Sequence, residues 1–412
     1  MNPTRYCTGG PVVAALVASM LALPSLAADL TLDEALRLAE DNAPSLTAQT
    51  AKLQAASSDA IPAGELPDPK LLLGVQNYPV GGPDRWSIDQ DFMTMQMVGV
   101  MQEMPNRDKR RARTEVAEAA VERAEAERRV VRLKVRQAAA LAWINRHTVE
   151  RKQALFEAFF RENRLLAATV RAQIAGGRAP AADAVTTKQE AADLTERQDE
   201  LASQQTQARA ALRRWIGPAA DEPLAGDLPT WPIAASGYAH KLQVHPELTA
   251  FAPITREAEA KVREAEAEKQ SDWSWEVDYQ RRGREFGDMV SVQFTFDLPL
   301  FPGSRQNPKI AARHAELNQV EAEREALTRE HAEQLEADLA EYQRLDRAVR
   351  RSQDSLLPLA QEKVDLTTAS YRAGTGAARR EQIEARLKQV DLEGQRALTS
   401  AKLYFTYGET HP

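Results

Sequence analysis

The sequence predicts a mainly α-helical protein with a small β part, in which two long antiparallel helical hairpins follow one another. Three observations predict this fold class. Stretches rich in Ala, Glu, Arg and Gln run longer than a compact domain can hold. The order of entry helix, paired strands and helical hairpin occurs twice. Aromatic residues make up 6% of the 412 residues and charged residues 27%, which suits charged helices better than a thick aromatic core.

The N-terminal residues 1–28 are predicted to be a secretory signal. One basic residue, Arg5, precedes an apolar run at 11–23, and small residues follow it. This order is typical of a cleaved signal, and the run is too short to span a membrane comfortably. The only cysteine, Cys7, is removed with the signal. We therefore expect a mature protein without thiols or disulfides and without a lipid on cysteine.

A first long helical hairpin is predicted at about residues 106–216. The segment 107–175 contains no proline, and a single helix of that length would extend roughly 100 Å. Its apolar positions are mostly Ala, a narrow stripe typical of helices packed side by side. The segment Gly176–Pro180 then breaks the helix, because Gly suits a helix C-terminus and Pro the start of the next helix.

The second half of the chain repeats this plan, with a helical hairpin at about 305–406 and a break at Gly374–Gly376. Aligning the two hairpin breaks, and the segment 102–105 with 296–299, gives offsets of about 200 residues, which indicates a tandem duplication. The predicted divisions are the signal at 1–28, a first repeat at 29–243 that ends in a linker at 217–243, and a second repeat at 244–412.

Each repeat contains a predicted pair of strands before its helical hairpin, at about 70–78 and 92–104 and at about 273–282 and 289–299. In the third strand, aromatic and aliphatic residues alternate with polar ones, so opposite faces are apolar and polar. Strands of this length and alternation are typical of transmembrane barrels, although a soluble sandwich shows the same alternation. Four strands cannot close around water, so we expect several copies to contribute four strands each.

Composition and motifs argue against two other classes of protein. The formal net charge is −7, which does not favour a nucleic-acid partner. The sequence has no glycine-rich phosphate loop and no nucleophile elbow, so we expect no enzyme activity and no cofactor. The six histidines are scattered along the chain, and we interpret His314 and His331 as solvated helix residues rather than ligands.

Four short motifs carry a family resemblance: an opening helix at Leu30–Ala39, a strand entry at Leu66–Leu71, a strand-to-helix crossing at Gln102–Arg110 and a helical tip at Tyr371–Gly374. With the duplication and the predicted signal, they resemble the outer-membrane factor family, the TolC-like exit ducts of Gram-negative tripartite efflux systems. The strand entry and the crossing are most similar to the heavy-metal branch, the CusC-type and CzcC-type ducts. At the crossing, the family usually has an aromatic residue and a glycine where this chain has Asn106 and Asp108.

The resemblance implies a homotrimer with a twelve-stranded barrel in the outer membrane and a trimeric, twelve-helix α-barrel in the periplasm. It implies a periplasmic adaptor protein, an inner-membrane RND pump and outer-membrane lipid as partners. The expected function is passive export of heavy-metal cations, with copper and silver favoured over cobalt, zinc and cadmium. A drug-efflux or type I secretion duct is the alternative within the family, and a periplasmic coiled-coil adaptor or scaffold is the alternative outside it. Many CusC-type members are lipidated at an N-terminal cysteine, whereas we expect this chain to be anchored by its strands alone.

Two groups of polar residues are candidate functional sites. Strand residues are expected to line the lumen and favour cations, although any water-filled barrel needs polar walls; they are Glu276, Asp278, Gln280, Gln293 and Asp297. Residues at the periplasmic tips are expected to pair across the closed mouth and to receive the adaptor, although a solvated turn would carry similar charges; they are Gly176, Arg178, Asp183, Arg372, Gly374, Arg379, Arg380 and Glu381.

A third candidate is the strand at 92–104, which contains five of the eight methionines in the chain. Alignment with the second repeat places four of them toward the lumen and Gln96 and Gln102 outside. Thioethers are soft ligands suited to Cu(I) and Ag(I). Alternatively the methionines are flexible apolar residues that face lipid, because a shift of register by one residue exchanges the faces. The four candidate metal contacts are Met93, Met95, Met97 and Met101.

Overall fold

The computed structural model describes residues 29–233, 238, 241–283, 285–369 and 375–408. The predicted signal at 1–28 and the tip residues Arg372 and Gly374 lie outside these ranges. Within them the chain is mainly helical, with one antiparallel sheet of four strands.

The first repeat opens with α1 (Leu32–Asn42) and α2 (Pro44–Ala60). The side chain of Thr31 caps α1 by accepting a hydrogen bond from the Glu34 amide at 3.3 Å. Proline at the start of α2 fits a position where no backbone donor is needed. The buried face of α1 packs against Trp143, whose indole nitrogen donates to the Leu30 carbonyl at 3.1 Å.

The strands are β1 (Lys70–Gln76), β2 (Met95–Met104), β3 (Trp273–Arg281) and β4 (Met289–Phe296). Their order in the sheet follows the chain, and every neighbouring pair is antiparallel. The hairpins of the two repeats therefore join through β2 and β3 into one sheet. All four strands lie within the predicted ranges and are shorter than predicted.

The first helical hairpin consists of α3 (Arg107–Ala175) and α4 (Ala182–Ile216). The turn between them includes Gly177 at a φ of 68°, in the left-handed region that favours glycine. Within the hairpin, Phe156 and Phe159 of α3 pack with Leu194 of α4. Among the described residues, no helix is long and apolar enough to span a membrane.

The second repeat contains α5 (Pro246–Thr249), α6 (Phe251–Ala267), α7 (Gln306–Arg351), α8 (Leu357–Ala369) and α9 (Thr375–Leu403). A π-helical turn at Ser352–Leu356 precedes Pro358, and it lets the helix continue past a residue that lacks an amide donor. The chain then runs from α9 into a second π-helical turn at Tyr404–Gly408, and Phe405 of that turn packs in the same core as Trp143.

Candidate functional site

The two faces of the sheet differ sharply in chemistry. Residues paired across antiparallel strands lie on the same face. Met97 pairs with Gln280 and Met101 with Glu276, so methionines and polar residues share a face. The strand residues on this face are Lys70, Leu72, Gly74, Gln76, Met95, Met97, Gly99, Met101, Glu103, Ser274, Glu276, Asp278, Gln280, Met289, Ser291, Gln293 and Thr295.

The opposite face of the sheet carries an apolar band that is exposed in one copy of the chain. Eleven large hydrophobic side chains of this face are 39–71% exposed, far more than those of the core between the helices. An apolar patch of this extent on a folded chain indicates a surface that another apolar phase or molecule covers. The exposed members are Leu71, Leu73, Val75, Val98, Val100, Val277, Tyr279, Val290, Val292, Phe294 and Phe296.

The middle of the polar face depends on one glycine. A Cβ atom built on Gly99 would lie 1.8 Å from Oδ1 of Asp278, so the carboxylate occupies the space that a side chain at position 99 would fill. Asp278 is buried, and its Oδ1 receives no hydrogen bond from the described atoms. Beside this pair, Nε2 of Gln76 donates to Sδ of Met97 at 3.3 Å. The polar face therefore carries the Asp278 carboxylate close to the Met97 thioether, which the hydrogen bond from Gln76 orients.

Two of the predicted lining residues lie outside the strands. Met93 precedes β2 and is exposed, and its amide donates to the Asp91 carboxylate at 2.7 Å in a turn. Asp297 follows β4, and its amide donates to the Asp272 carbonyl at 2.8 Å. The remaining predicted residues of these two groups lie in strands on the polar face; they are Met95, Met97, Met101, Glu276, Asp278, Gln280 and Gln293.

The crossing from β2 into α3 is held by residues of both repeats. Asn106 caps α3, because its Oδ1 accepts from the Lys109 amide at 2.8 Å. The amide and Nδ2 of Asn106 donate to Oδ1 of Asp272 at 2.7 and 2.8 Å, and Nζ of Lys109 lies 2.6 Å from Oδ2. Burial raises the pKa of Asp272, but these hydrogen bonds outweigh burial and lower the pKa below its ordinary value. Asp108 also contacts the second repeat, accepting from Nε2 of Gln270 at 2.6 Å.

Charged residues near the start of α9 form ion pairs within one copy of the chain. Arg379 contacts Glu162 of α3 at 3.4 Å, and Arg380 pairs with Glu190 of α4. Glu381 pairs with Lys363 of α8 at 2.5 Å. The pairs therefore tie α9 to both arms of the first hairpin and to its own partner helix.

The first hairpin tip lacks comparable pairs. Among the described residues, neither Arg178 nor Asp183 forms an ion pair, and the Asp183 amide donates to the Pro180 carbonyl at 3.1 Å. Gly176 ends α3, and its amide donates to the Ala172 carbonyl at 3.0 Å. Within the described residues, the tip of the first hairpin is therefore held by backbone hydrogen bonds rather than by ion pairs of Arg178 or Asp183.

Two histidines that are distant in sequence meet in the fold. The interpretation of His331 as a solvated residue was wrong, because its side chain is 12% exposed and its ring lies 4.2 Å from that of His245 between centroids. Nε2 of His331 lies 2.9 Å from Oε2 of Glu247, and Nζ of Lys134 lies 2.5 Å from Oε1. The hydrogen bond with His331 lowers the pKa of Glu247, burial raises it, and the contact with Lys134 lowers it further. The pKa of Glu247 is about 2 as a result. His314 is exposed, as predicted.

Sequence comparison identifies part of the first repeat. Residues 35–218 match the family model described as Outer membrane efflux protein. A comparison with curated proteins gives no match. The match begins within α1, includes the first strand hairpin and ends just after α4, so this segment is similar to that family, as the sequence motifs indicate.

Comparison with solved structures identifies the fold of the whole described chain. A membrane protein from Pseudomonas aeruginosa superposes with a TM-score of 0.79 at 19% identity, covering 92% of this chain and 93% of that chain. VceC, an outer membrane protein from Vibrio cholerae, gives a TM-score of 0.76 at 17% identity, covering 92% and 96%. CusC, described as forming a transmembrane channel, gives 0.77 at 16% identity, covering 93% of both chains. The chain therefore has the fold that these three proteins share.

Proposed function

We propose that this chain is the outer-membrane exit duct of a tripartite efflux system. Three copies would close a twelve-stranded barrel in the outer membrane, and their helical hairpins would form an α-barrel in the periplasm. A periplasmic adaptor protein and an inner-membrane RND pump would deliver the substrate. The observation that carries this proposal is the four-stranded sheet with one exposed apolar face and one polar face.

The edges of the sheet support assembly from several copies. Among the described residues, β1 pairs only with β2 and β4 only with β3, so each outer strand has one unpaired edge. Hydrocarbon cannot satisfy the hydrogen-bonding groups of such an edge. Pairing β4 of one copy with β1 of the next satisfies them and turns every apolar band outward. The polar face then lines a water-filled interior.

The proposed location follows from the same elements. The predicted signal at 1–28 would direct export across the inner membrane. The apolar band would lie in the outer membrane and the long helices α3 and α7 would extend into the periplasm. Anchoring would depend on the strands, since the mature sequence contains no cysteine for lipid attachment.

Soft heavy-metal cations are the substrate class that we propose. The polar face combines thioethers at Met95, Met97 and Met101 with the carboxylates of Glu276 and Asp278. Carboxylates attract cations into the lumen, and thioethers exchange contacts with Cu(I) and Ag(I). Repeated around a ring of copies, these side chains would form a path of weak and successive contacts. Copper and silver are therefore favoured over cobalt, zinc and cadmium.

The substrate proposal can be tested with methionines on opposite faces of the same strand. We expect replacement of Met95, Met97 and Met101 together by Leu to reduce copper and silver tolerance of cells that depend on this duct. Met104→Leu is the matched control, because Met104 pairs with Trp273 on the apolar face. Unchanged tolerance in the triple variant, at equal amounts of assembled protein, would exclude the soft-metal path. Loss of tolerance to dyes and antibiotics, but not to metal salts, on deletion would support a drug-efflux duct instead.

The tips of the helical hairpins are proposed as the gate and the adaptor contact. The pairs of Arg379, Arg380 and Glu381 hold α9 against its neighbours within one copy. Opening the mouth would require α9 to move relative to α3 or α4, and these pairs would resist that movement. The exposed residues Arg178 and Asp183 at the first tip would be available to the adaptor.

A further inference from the structure

The strongest unassigned cluster of side chains lies away from the sheet and the tips, where the second repeat begins. His245, Glu247 and His331 each offer one ligand atom, and these atoms lie within 4.8 Å of one another. We propose that these three residues bind one divalent transition-metal ion of the zinc class. The site would belong to the scaffold and is independent of the exported substrate.

The donor set is suited to such an ion. Two imidazoles and one carboxylate are ligands for Zn(II), and they also suit Cu(II) and Ni(II). Ligand atoms around a tetrahedral Zn(II) lie about 3.3 Å apart, given bonds of about 2.0–2.1 Å. Nε2 of His331 and Oε2 of Glu247 are already 2.9 Å apart. Small side-chain movements would therefore bring all three donors to one ion.

The contacts around His331 orient its ring toward Glu247. The hydroxyl of Tyr407 donates to the His331 carbonyl at 3.1 Å, and the same oxygen lies 3.3 Å from Nδ1 of His331. Nε2 of His331 faces Oε2 of Glu247 at 2.9 Å, so the nitrogen and the oxygen that would bind the ion already lie side by side.

The surroundings of the cluster orient the ligands. Lys134 contacts Oε1 of Glu247 and leaves Oε2 toward the histidines. The Tyr407 hydroxyl contacts Nδ1 of His331, which leaves Nε2 to bind the ion. Such a partner on the second ring nitrogen is common around metal-bound histidines. His245 is buried and caps α5 by accepting from the Glu247 amide at 3.2 Å. Binding the ion through Nδ1 of His245 would replace this capping hydrogen bond.

A bound ion would connect four separate parts of the fold. His245 and Glu247 begin the second repeat, and His331 lies in the middle of α7. Lys134 extends from α3, and Tyr407 lies in the C-terminal π-helical turn. The ion would therefore clamp the start of the second repeat and the C-terminal turn to two long helices. The partly exposed side of Glu247 leaves room for water as a further ligand.

Zinc binding by the untagged full chain in detergent tests this proposal. We expect chelator-treated protein to bind one Zn(II) per chain in calorimetry, and to unfold at a higher temperature with zinc than without it. His331→Gln and His245→Gln should each weaken binding at least about tenfold, and Tyr407→Phe about tenfold through the lost orientation of the ring. His314→Gln is the matched control, since His314 is exposed on the same helix.

Three outcomes decide the proposal. Saturable binding that is lost in the His331 and His245 variants but kept in the His314 variant supports it. Absence of saturable binding overturns it, as does equal binding by the double variant His245→Gln/His331→Gln. If the histidine variants fold poorly, two other measurements decide. Weaker zinc binding by Tyr407→Phe and a cobalt absorption spectrum of the unmodified chain typical of nitrogen and oxygen ligands support the proposal, and the absence of both overturns it. The triple Met→Leu variant should bind zinc normally, so failure here leaves the duct and its substrate proposal unaffected.

Discussion

Asn106 and Asp272 join the two repeats at the base of the sheet. The Asp272 carboxylate accepts both the backbone amide and the side-chain amide of Asn106, at 2.7 and 2.8 Å. Asn106 also caps α3, the longest of the described helices, so the residue that starts this helix after β2 also contacts the other repeat.

We expect Asp272→Ala to destabilise the folded chain by about 1.5–3 kcal/mol, because it removes hydrogen bonds to a charged group and leaves the amide of Asn106 unpaired. The loss should appear as a lower midpoint of thermal or urea unfolding. Asp297→Ala is the control, since Asp297 is exposed and its hydrogen bond to the Asp272 carbonyl comes from the backbone. Equal midpoints for the two variants would contradict the role given to Asp272.

The contribution of Asp272 should depend on pH in a defined direction. Its pKa is below 3.8 in the folded chain, so its ionised form is favoured by folding. The stabilisation is therefore complete above the unfolded pKa of about 3.8 and declines as the pH falls through the folded value. The difference in unfolding free energy between the unmodified chain and Asp272→Asn should narrow below about pH 4. A difference that grew on acidification would show that another group dominates.

Substitution of Gly99 should disturb the polar face. The added Cβ of Gly99→Ala would overlap Asp278, and relieving the overlap costs about 1–3 kcal/mol. We expect less heat-resistant oligomer on electrophoresis. Gly74→Ala is the control on the neighbouring strand, because its Cβ would meet only Cε of Met97 at an ordinary 3.6 Å. The pair Gly99→Ala/Asp278→Ser should recover the oligomer, and failure to recover would place the defect elsewhere.

Charge reversal at the tip should loosen the closed mouth. Arg380→Glu turns an attractive contact with Glu190 into a repulsive one, and we expect a higher conductance of the closed duct in planar bilayers. Adding Glu190→Arg should restore the low conductance by reversing the pair. Arg344→Glu is the control, because its partner Glu341 lies on the same helix. Equal conductance in all four proteins would exclude a gating role for this pair.

The parts of the fold that sequence could predict depend on local patterns. The period of two in β3, the proline-free length of α3 and the glycines between α3 and α4 are all visible within a short window. The strand ends were predicted less well. At Met93 the methionine spacing continues, but the Asp91 carboxylate captures the Met93 amide and ends the ladder.

The contacts that sequence could not predict join residues far apart in the chain. Asn106 meets Asp272 across 166 positions, and no periodicity marks either residue as a partner of the other. His245 and His331 come together because α7 packs against the short entry helices of the second repeat. Pro246 and Glu247, directly after His245, indicate the start of a helix, but nothing in this pattern indicates a contact with a second histidine.

In the proposed duct, the edges of β1 and β4 that have no partner among the described residues would also constrain the order of assembly. A lone copy in a bilayer would bury two rows of amide and carbonyl groups in hydrocarbon, whereas in water both rows are hydrated. Copies would therefore have to meet before their strands enter the lipid, or as they enter it. Insertion would then be a collective event whose rate rises more steeply than the first power of the concentration of unassembled copies. At low expression the proposed duct would accumulate as an unassembled intermediate rather than as partly built pores.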